Sequence, residues 1–484
     1  MAGEHRKLCL ANPDTLLGML QRGRGAGYLQ AVETSPAEVW PLLMECITND
    51  PRLDKQVEYR ADYYCSLIIE TRMDIKPIGD FLKQNDGRDD QFWNTILAIQ
   101  TLDSLSARQN AEALEMFRDY MAYGFHWQSV ALYLWESPID NSLEGVDRTI
   151  CDRLSNDPAF HEDFRMGILE GLKYWYDEDI RVGPLIPVCE PWKTLCQRNS
   201  QLAKAFDRFC LPEAIESLPR KENKAPIDLA GLSVGELFGL VERPLFCQAA
   251  EALEQKLSGK DEQLLLQNLT QEDEYRVMLA LNGLGVLGTP TAFEAVRSVI
   301  ESGEGLNKRI RRQAFKAIGR MPGSLSLETG RQWFQRNEWY LQVAGGEILE
   351  NHATPDDVPL LVDVLSSPET IQCEDFRLAS ALEAFWHMDG VGHVPEIENV
   401  FVAVPHSCKR YRAARAMDAT APDVFQANYA RECLWDCYWD TRICGCETAA
   451  LSHPGVLTRL KEISQDPHES ERVRESAQLA SGEF

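Results

Sequence analysis

Four cysteines and a following histidine, His453, lie close together in the segment CLWDCYWDTRICGC and just after it. The cysteines are Cys433, Cys437, Cys444 and Cys446. Thiolates bind zinc tetrahedrally, and the C-x3-C spacing would place two of them on one face of a helix. The C-x6-C and C-x-C spacings match no familiar zinc module, and reduced cysteine is also a small, easily buried apolar residue. We interpret the cluster as buried thiols, with metal or redox chemistry as the alternative.

Two glycine motifs resemble catalytic or cofactor motifs but stand in the wrong context. Gly231–Gly235 matches G-x-S-x-G, a hydrolase elbow that requires a preceding strand, whereas a charged linker precedes Ser233. Ser233 and Glu236 instead form the capping box that starts a helix. Gly283–Gly288 matches G-x-G-x-x-G, but these glycines close the predicted helix EYRVMLALNGLG. Both motifs therefore predict helix ends.

A glycine-rich segment near the start of the sequence contains the first candidate binding residues, Arg22 and Arg24, in R-G-R-G-A-G. Its backbone N–H groups and guanidinium groups could hold an anion. The alternative is a mobile hairpin that joins the first two helices.

The segment DPRLDKQVEYRADYY supplies the second group of candidates, Arg52, Arg60, Tyr63 and Tyr64. Its density of charged and aromatic residues makes it our candidate surface in the N-terminal half. In the alternative interpretation, the charged residues form a ladder of internal ion pairs between adjacent repeats. That ladder would consist of Arg52, Asp54, Arg60 and Asp62.

The charge of the whole chain argues against a polyanionic partner. The sequence has 484 residues, of which 49 are basic and 75 acidic, so the formal net charge is −26. Such a charge repels polyanions at long range, and affinity for nucleic acid comes mainly from neutralising phosphates. We therefore expect another protein as the partner and consider nucleic acid disfavoured.

The start, MAGEHRKLCLANPDTLLGML, has no uninterrupted apolar region of the kind that a signal peptide needs. No run approaches the ~18 apolar residues of a membrane helix. The 14 cysteines include no C-x-x-C pair, which is typical of reduced thiols. We expect a cytoplasmic protein with no membrane segment and, because P-loop and H-E-x-x-H motifs are absent, no cofactor or metal.

Internal repeats determine the predicted fold. Three segments share an Asp-Pro turn, a polar stretch, an arginine and an amphipathic helix; the arginines Arg60, Arg165 and Arg474 follow their prolines by 9, 7 and 7 residues. Proline ends the preceding helix and sets the turn into the next one. Further arginines recur at gaps of 35, 66, 35 and 62 residues, counted up to Arg474. These are Arg276, Arg311, Arg377 and Arg412. A period in the thirties fits a helix pair with its turns.

At these residues the chain resembles the HEAT-repeat family, including its bilin-lyase-like bacterial relatives. The last segment matches best, through Asp466, Pro467, Val473, Arg474, Ala477 and Ala480. The resemblance extends over about 235–484 and implies an all-α solenoid of antiparallel helix pairs, with a more irregular N-terminal half. We predict an N-terminal helical region at 1–216, a linker at 217–231 and a HEAT array at 232–484.

In the HEAT family the second helix of each pair lines the concave surface, and two basic stretches of this chain lie in such helices. Our candidate binding residues there are Arg309, Arg312, Lys316 and Arg412. They could form a stripe for an acidic peptide or a nucleic-acid backbone, or a solvated face with internal arginine–carboxylate pairs. The full stretches are Lys308, Arg309, Arg311, Arg312, Lys316 and Arg320, then Lys409, Arg410, Arg412 and Arg415.

The resemblance implies a function of holding other macromolecules. Our leading hypothesis is a non-enzymatic scaffold or regulatory adaptor that binds a protein partner, with Trp435 and Trp439 as aromatic anchors or as core residues. The alternatives are an enzyme on a HEAT-like frame, similar to alkylpurine DNA glycosylases or bilin lyases, and a structural subunit of a larger complex. Fold analogy alone does not separate them.

Overall fold

The computed structural model describes residues 10–55, 58–85, 92–164, 190–209, 229–241, 245–303, 305–372 and 375–482. Within these ranges every regular element is helical and no β-strand occurs, so the predicted all-α class is confirmed. None of the helices described is both long and apolar enough to cross a bilayer. Arg165 and most of the predicted linker at 217–231 lie outside the described residues.

The chain divides into two compact units. Unit 1 comprises Met1–Cys9, Lys224–Arg431 and Glu447–Val456, and unit 2 comprises Leu10–Asn223, Glu432–Cys446 and Leu457–Phe484. The change of unit near residue 224 falls within the predicted linker. The predicted array at 232–484 differs from this division, because its last segments belong to unit 2. Periodicity identifies amphipathic helices, but it does not identify the distant helix that covers an apolar face.

The N-terminal part of unit 2 consists of short helices. They are α1 (Leu16–Arg22), α2 (Gly25–Glu33), α3 (Pro36–Thr48), α4 (Ala61–Thr71), α5 (Lys76–Asn85), α6 (Phe92–Ala107), α7 (Ala111–Tyr120), α8 (Trp127–Glu136), α9 (Val146–Asn156), α10 (Trp192–Arg198) and α11 (Ser200–Phe209). Local residues set several ends. Thr15 and Asn110 accept N-cap hydrogen bonds at α1 and α7, and Gly23 ends α1 in the left-handed region at φ 67°.

One hydrophobic cluster joins these helices. The cluster fully or almost fully buries Leu43, Tyr64, Leu102 and Trp127. It also includes Cys437, which belongs to a much later segment of the chain. Burial of side chains this large supplies most of the favourable free energy of folding. The cluster therefore fixes the short helices of unit 2 against one another.

The remaining helices follow in chain order. They are α12 (Val234–Leu240), α13 (Phe246–Glu254), α14 (Glu262–Asn268), α15 (Glu274–Leu287), α16 (Pro290–Glu301), α17 (Lys308–Arg320), α18 (Gly323–Phe334), α19 (Trp339–His352), α20 (Val358–Ser366), α21 (Pro368–Gln372), α22 (Phe376–His387), α23 (Pro395–Ala403), α24 (Ser407–Thr420), α25 (Pro422–Asn428), α26 (Ala430–Cys433), α27 (Trp439–Thr448), α28 (Val456–Gln465) and α29 (Glu471–Ser481). Short 3₁₀ turns occupy Leu229–Gly231, Gly259–Asp261 and Pro355–Asp357.

Five helices of unit 1, which we call the helix row, pack side by side in chain order: α15, α17, α19, α22 and α24. A further helix packs on each of them, namely α14, α16, α18, α20 and α23 respectively. The row helices begin at Glu274, Lys308, Trp339, Phe376 and Ser407, so that successive starts are 31 to 37 residues apart. This spacing agrees with the period of the arginines, and α19 fills the double step between Arg311 and Arg377.

Glycines allow the row helices to approach closely. A Cβ atom at Gly285 of α15 would lie 2.8 Å from the Cα of Ala317 in α17 and 2.9 Å from its carbonyl oxygen. At Gly319 of α17 it would lie 2.9 Å from the carbonyl oxygen of Glu347 in α19. Because backbone atoms cannot move aside as side chains do, both positions require glycine.

We predict that Gly285→Ala destabilises unit 1 by about 1–3 kcal/mol, because the added methyl group overpacks the contact between α15 and α17. The change in urea-unfolding midpoint measures this effect. Gly239→Ala is the matched control, since Gly239 lies inside α12 with open space around its Cβ position. That variant should be neutral or slightly stabilising, because alanine favours a helix over glycine. Equal effects of the two substitutions would contradict the close approach.

Candidate functional site

The cysteine cluster and the motif at Ser233 have the structural roles that the sequence predicts, whereas of the glycines at Gly283–Gly288 only the last ends a helix and the first two lie inside α15. Cys433, Cys437, Cys444 and Cys446 are all buried. In the ranges that can be described, no group of three or more His, Cys, Asp or Glu side chains is arranged to hold a metal ion. Ser233 and Glu236 form a complete capping box at α12, and Gly288 ends α15 at φ 57°.

The glycine-rich segment Arg22–Gly27 is mostly helical rather than an open loop. Helix α1 includes Arg22, helix α2 already begins at Gly25, and both arginines are buried. Arg22 donates from Nη1 to the carbonyl oxygens of Ala11 and Gly18 at 2.9 Å. The Nη2 of Arg24 lies 2.9 Å from Oε1 of Glu432, and both side chains are less than 10% exposed. The glycines pack the chain closely, so neither guanidinium lies on a binding surface.

Arg52 and Arg60 are also interior residues, and their partners differ from the predicted ladder. Arg52 forms a bidentate pair with Asp50 at 2.8 and 2.9 Å. Arg60 lies 2.7 Å from Oε2 of Glu58, and its Nη1 donates to the carbonyl oxygen of Gln21 at 2.8 Å. Of the other residues in the predicted ladder, Asp62 pairs with Arg108 at 3.1 Å. A buried carboxylate close in sequence provides the neutralisation that a buried guanidinium requires.

Tyr63 and Tyr64 are buried in α4, where each hydroxyl has a backbone partner. Tyr63 donates to the carbonyl oxygen of Arg24 at 2.8 Å, and Tyr64 donates to that of Leu20 at 3.3 Å. Burial raises the pKa of Tyr64 above its usual value. The two phenols thus act mainly as packed core groups, although Tyr63 also borders a surface cleft.

That cleft, which we call the unit 2 cleft, has a volume of about 80 Å³. Its walls combine three arginines, four carboxylates and three aromatic rings. Helices α2 and α4, the end of α6 and the segments around 435, 442, 459 and 466 contribute them. The lining residues are Tyr28, Asp62, Tyr63, Ser66, Arg108, Trp435, Asp436, Arg442, Arg459, Asp466, His468 and Glu469.

The arginines of the unit 2 cleft are held by carboxylates and carbonyl groups. Arg442 forms a bidentate pair with Glu469, with both distances 2.7 Å. Burial alone would lower the pKa of Arg442, but the combined effects of Glu469, Cys437 and Asp436 outweigh burial and raise the pKa. Arg108 lies between two aspartates: its Nη1 is 3.1 Å from Asp62 and its Nη2 is 4.0 Å from Asp466. The guanidinium groups therefore remain charged, and their carboxylate partners hold them in place along the wall of the cleft.

Aromatic rings complete the cleft. The guanidinium of Arg459 lies 5.4 Å from the ring centroid of Trp435, within the range of a cation–π contact. Burial raises the pKa of Tyr28 to about 12, so its phenol is neutral at ordinary pH. Trp439 lies under the guanidinium of Arg472 at 4.8 Å. Of the predicted anchors, Trp435 borders the cleft and Trp439 does not.

Sequence reasoning missed most of the residues that line the cleft. Arg442 and Arg459 lie in different helices and Arg108 follows the end of α6, and no motif relates the three. The available signal was the last Asp-Pro turn, whose Asp466 and Glu469 both face the cleft. That turn predicts a helix boundary and a repeat unit, but its local pattern does not identify Arg108, which lies near Asp466 although it is hundreds of residues away in the sequence.

The basic stretches of unit 1 are largely neutralised by neighbouring helices. Arg309 pairs with Glu274 at 2.7 Å. Lys409 and Arg410 are buried, and Lys409 donates to a backbone carbonyl. Arg312 and Lys316 are exposed. A uniform basic stripe therefore does not form.

Polar side chains of adjacent row helices nevertheless converge on a surface that we call the row face. Its residues are Arg312, Lys316, Glu347, Glu350, Ser380, Glu383, Trp386, Arg412 and Arg415. Arg412 lies 2.6 Å from Glu383, and Arg415 lies 4.9 Å from the ring centroid of Trp386. Burial raises the pKa of Glu347, which Lys316 and Arg312 partly oppose.

Glu350 occupies the middle of the row face. Burial, together with the negative charges of Glu347 and Glu383, raises its pKa to about 7, against the opposing effects of Ser380 and Arg412. Glu350 thus ionises less readily than a solvated carboxylate, because it lies among acidic side chains of two consecutive row helices, α19 and α22. This makes the face sensitive to pH near neutrality.

Comparison with known proteins does not identify a family. No family model matches the chain, and no curated protein matches it. Among solved structures, the chain is similar to an engineered protein with 13% sequence identity, over 97% of this chain and 98% of the other. The TM-score is 0.22, and a superposition of that quality carries no argument about fold or function.

We predict that Arg442→Met destabilises unit 2 by about 3–5 kcal/mol, because it leaves Glu469 with an uncompensated charge in a site where its side chain is 10% exposed. Thermal and urea unfolding measure the loss. Lys76→Met removes an exposed pair with Asp80 and should leave the midpoint unchanged. The double variant Arg442→Met/Glu469→Met should recover much of the stability. No recovery would mean that the pair itself does not account for the loss.

We predict that Glu350→Gln stabilises unit 1 more at pH 8.5 than at pH 5.5. Because the folded-state pKa of Glu350 is raised, its contribution to stability is full below the unfolded pKa and is lost as pH rises through about 7. The difference between variant and wild type should change by about 1–3 kcal/mol over this range. Glu294→Gln, on an exposed side chain of α16, should give the same difference at both pH values. Parallel behaviour of the two variants in urea unfolding would refute the assignment.

Proposed function

We propose that this protein is a non-enzymatic scaffold or regulatory adaptor, and that unit 1 is a HEAT-like array that binds a protein partner on the row face. The observation that carries the proposal is the convergence of charged and aromatic side chains from consecutive row helices on one surface. Such a surface suits a polypeptide that lies across several helices.

The charge pattern of the row face supports a protein partner over a nucleic acid. Arg312 and Lys316 on α17 are basic, Glu347 and Glu350 on α19 are acidic, and α24 again brings arginines. A phosphate backbone needs positive charge along its whole path, whereas a folded protein or a peptide can match alternating signs. This pattern also gives specificity, because a partner shifted by one helix would meet like charges.

Aromatic groups supply the second element of a binding surface. Trp386 is half-buried, lies edge-on to Tyr411 at 6.3 Å and is covered by Arg415. Rigid aromatic and arginine groups of this kind contribute most of the affinity in many interfaces. The row face therefore combines an anchor with charges that select the partner.

The enzyme alternative has less support from the arrangement of the described residues. A glycosylase-like site would need basic groups available to phosphates beside an aromatic ring and a carboxylate. The unit 2 cleft has the ring and the carboxylates, but its arginines bond with carboxylates and carbonyl oxygens of unit 2. A structural subunit remains compatible with the proposal, since it would also bind through such a face.

We predict that Arg312→Glu/Lys316→Glu reduces recovery of the partner by about tenfold in affinity purification from the native cells, quantified by mass spectrometry. These substitutions replace two positive charges by negative ones, so acidic groups of the partner that contact Arg312 and Lys316 would be repelled. Arg297→Glu/Lys260→Glu changes the same number of exposed charges elsewhere in unit 1 and should leave recovery unchanged. Absence of any stoichiometric protein, or equal losses in both variants, would refute the proposal.

A further inference from the structure

We propose that the unit 2 cleft binds an alkylammonium or guanidinium group. This site lies in unit 2 and does not rest on the function proposed for the row face. The chemical class follows from three features of the cleft: its size, the balance of its charges and the accessibility of its acceptor atoms.

Size limits the ligand to one small headgroup. Pockets for nucleotides, cofactors and drug-sized molecules usually span about 300–1,000 Å³. The volume of about 80 Å³ in the unit 2 cleft is several times smaller. Because one water molecule takes about 30 Å³ of liquid, the cleft holds a few waters or the charged end of one side chain.

The balance of charge favours a cation. The walls carry four carboxylates, on Asp62, Asp436, Asp466 and Glu469, against three guanidiniums. A monovalent cation would neutralise this excess, whereas an anion would add to it. In a partly desolvated site, such a difference in charge strongly disfavours the anion.

Accessibility also differs between the two kinds of charge. The side chains of Arg108 and Arg442 are each 16% exposed and that of Arg459 is 23% exposed. Those of Asp62 and Asp466 keep 44% and 39% exposure. An incoming ligand therefore meets carboxylate oxygens before it meets guanidinium groups.

The two exposed carboxylates have acceptor capacity left for a ligand. Asp62 accepts from Arg108 through Oδ1, and Asp466 accepts from the backbone N–H of His468 through Oδ1. The second contact of Arg108, to Oδ2 of Asp466, is 4.0 Å long and so is not a hydrogen bond. Because an ionised carboxylate offers about four acceptor positions, a cation with several N–H donors can bridge the pair.

The neighbouring rings suit the same ligand class. One face of Trp435 is taken by the guanidinium of Arg459, so this ring contributes apolar surface rather than a further cation–π contact. The neutral phenol of Tyr28 adds no charge and can present its ring or its hydroxyl. An aliphatic stem would pack against these rings while its charged end reaches Asp62 and Asp466.

The test is a saturation-transfer NMR titration of the full-length protein with three probes. Methylguanidinium represents a free small cation, acetyl-arginine-methylamide represents an arginine side chain of a protein, and inorganic phosphate represents an anion. We expect saturable binding of at least one guanidinium probe with Kd of about 1–10 mM, as befits one small headgroup, and none of phosphate. Preference for the peptide probe would indicate a protein as the source of the cation.

Variants locate the binding. Asp62→Asn/Asp466→Asn should raise Kd about tenfold or more, because charge-assisted hydrogen bonds are lost. Asp80→Asn/Asp119→Asn removes two exposed carboxylates elsewhere in unit 2 and should change nothing. Ser66→Leu keeps every charge and fills the cleft, so it should abolish binding even if the aspartate variant is unstable. Phosphate binding in place of guanidinium binding, or full binding by Ser66→Leu, would overturn the proposal.

Discussion

Close approach of neighbouring helices is the constraint on which unit 1 depends. Where Gly285 meets Ala317 and Gly319 meets Glu347, backbone lies against backbone, and no side chain separates the two helices. Ion pairs can then reach from one row helix to the next, as the 2.6 Å contact between Arg412 and Glu383 does. A wider spacing would leave these charges to pair with water. The row face is therefore a consequence of how the row is packed.

Unit 2 depends instead on charges that are buried in pairs. Arg24 with Glu432 joins residues that are 408 positions apart in the sequence, and both side chains are nearly inaccessible. Such pairs add little net stability compared with apolar packing, but a misplaced partner leaves an isolated buried charge, which is costly. They therefore favour one arrangement of the N-terminal helices with the segments at 432–446 and 457–484 over all others. The unit 2 cleft lies among the same segments, and their residues line it.

Sequence patterns predicted what is local and failed on what is distant. The all-α class, the capping box at Ser233 and the helix end at Gly288 depend on neighbouring residues, and each was predicted correctly. The burial of Arg24 was not predicted, because glycine is typical of both flexible loops and close packing, and the partner Glu432 is distant in the sequence. The unit 2 cleft could not be predicted, since Arg108 and Asp466 have no sequence relation. The period of the arginines agrees with the spacing of the row helices, and internal arginine–carboxylate pairs were the alternative to a basic stripe, but the pattern does not identify which carboxylate pairs with each arginine.

The chain carries an excess of 26 negative charges, and the two surfaces proposed for binding differ in how that excess is balanced locally. Arg108 and Arg442 in the unit 2 cleft and Arg412 on the row face are paired with carboxylates. A partner with a net positive charge would be attracted to the acidic chain at long range, which would accelerate their association. At the row face, the exposed Arg312 and Lys316 oppose that attraction locally, which under the proposed function would fix the register of a protein partner. In the unit 2 cleft no exposed basic pair opposes it, and an incoming cation meets carboxylates first.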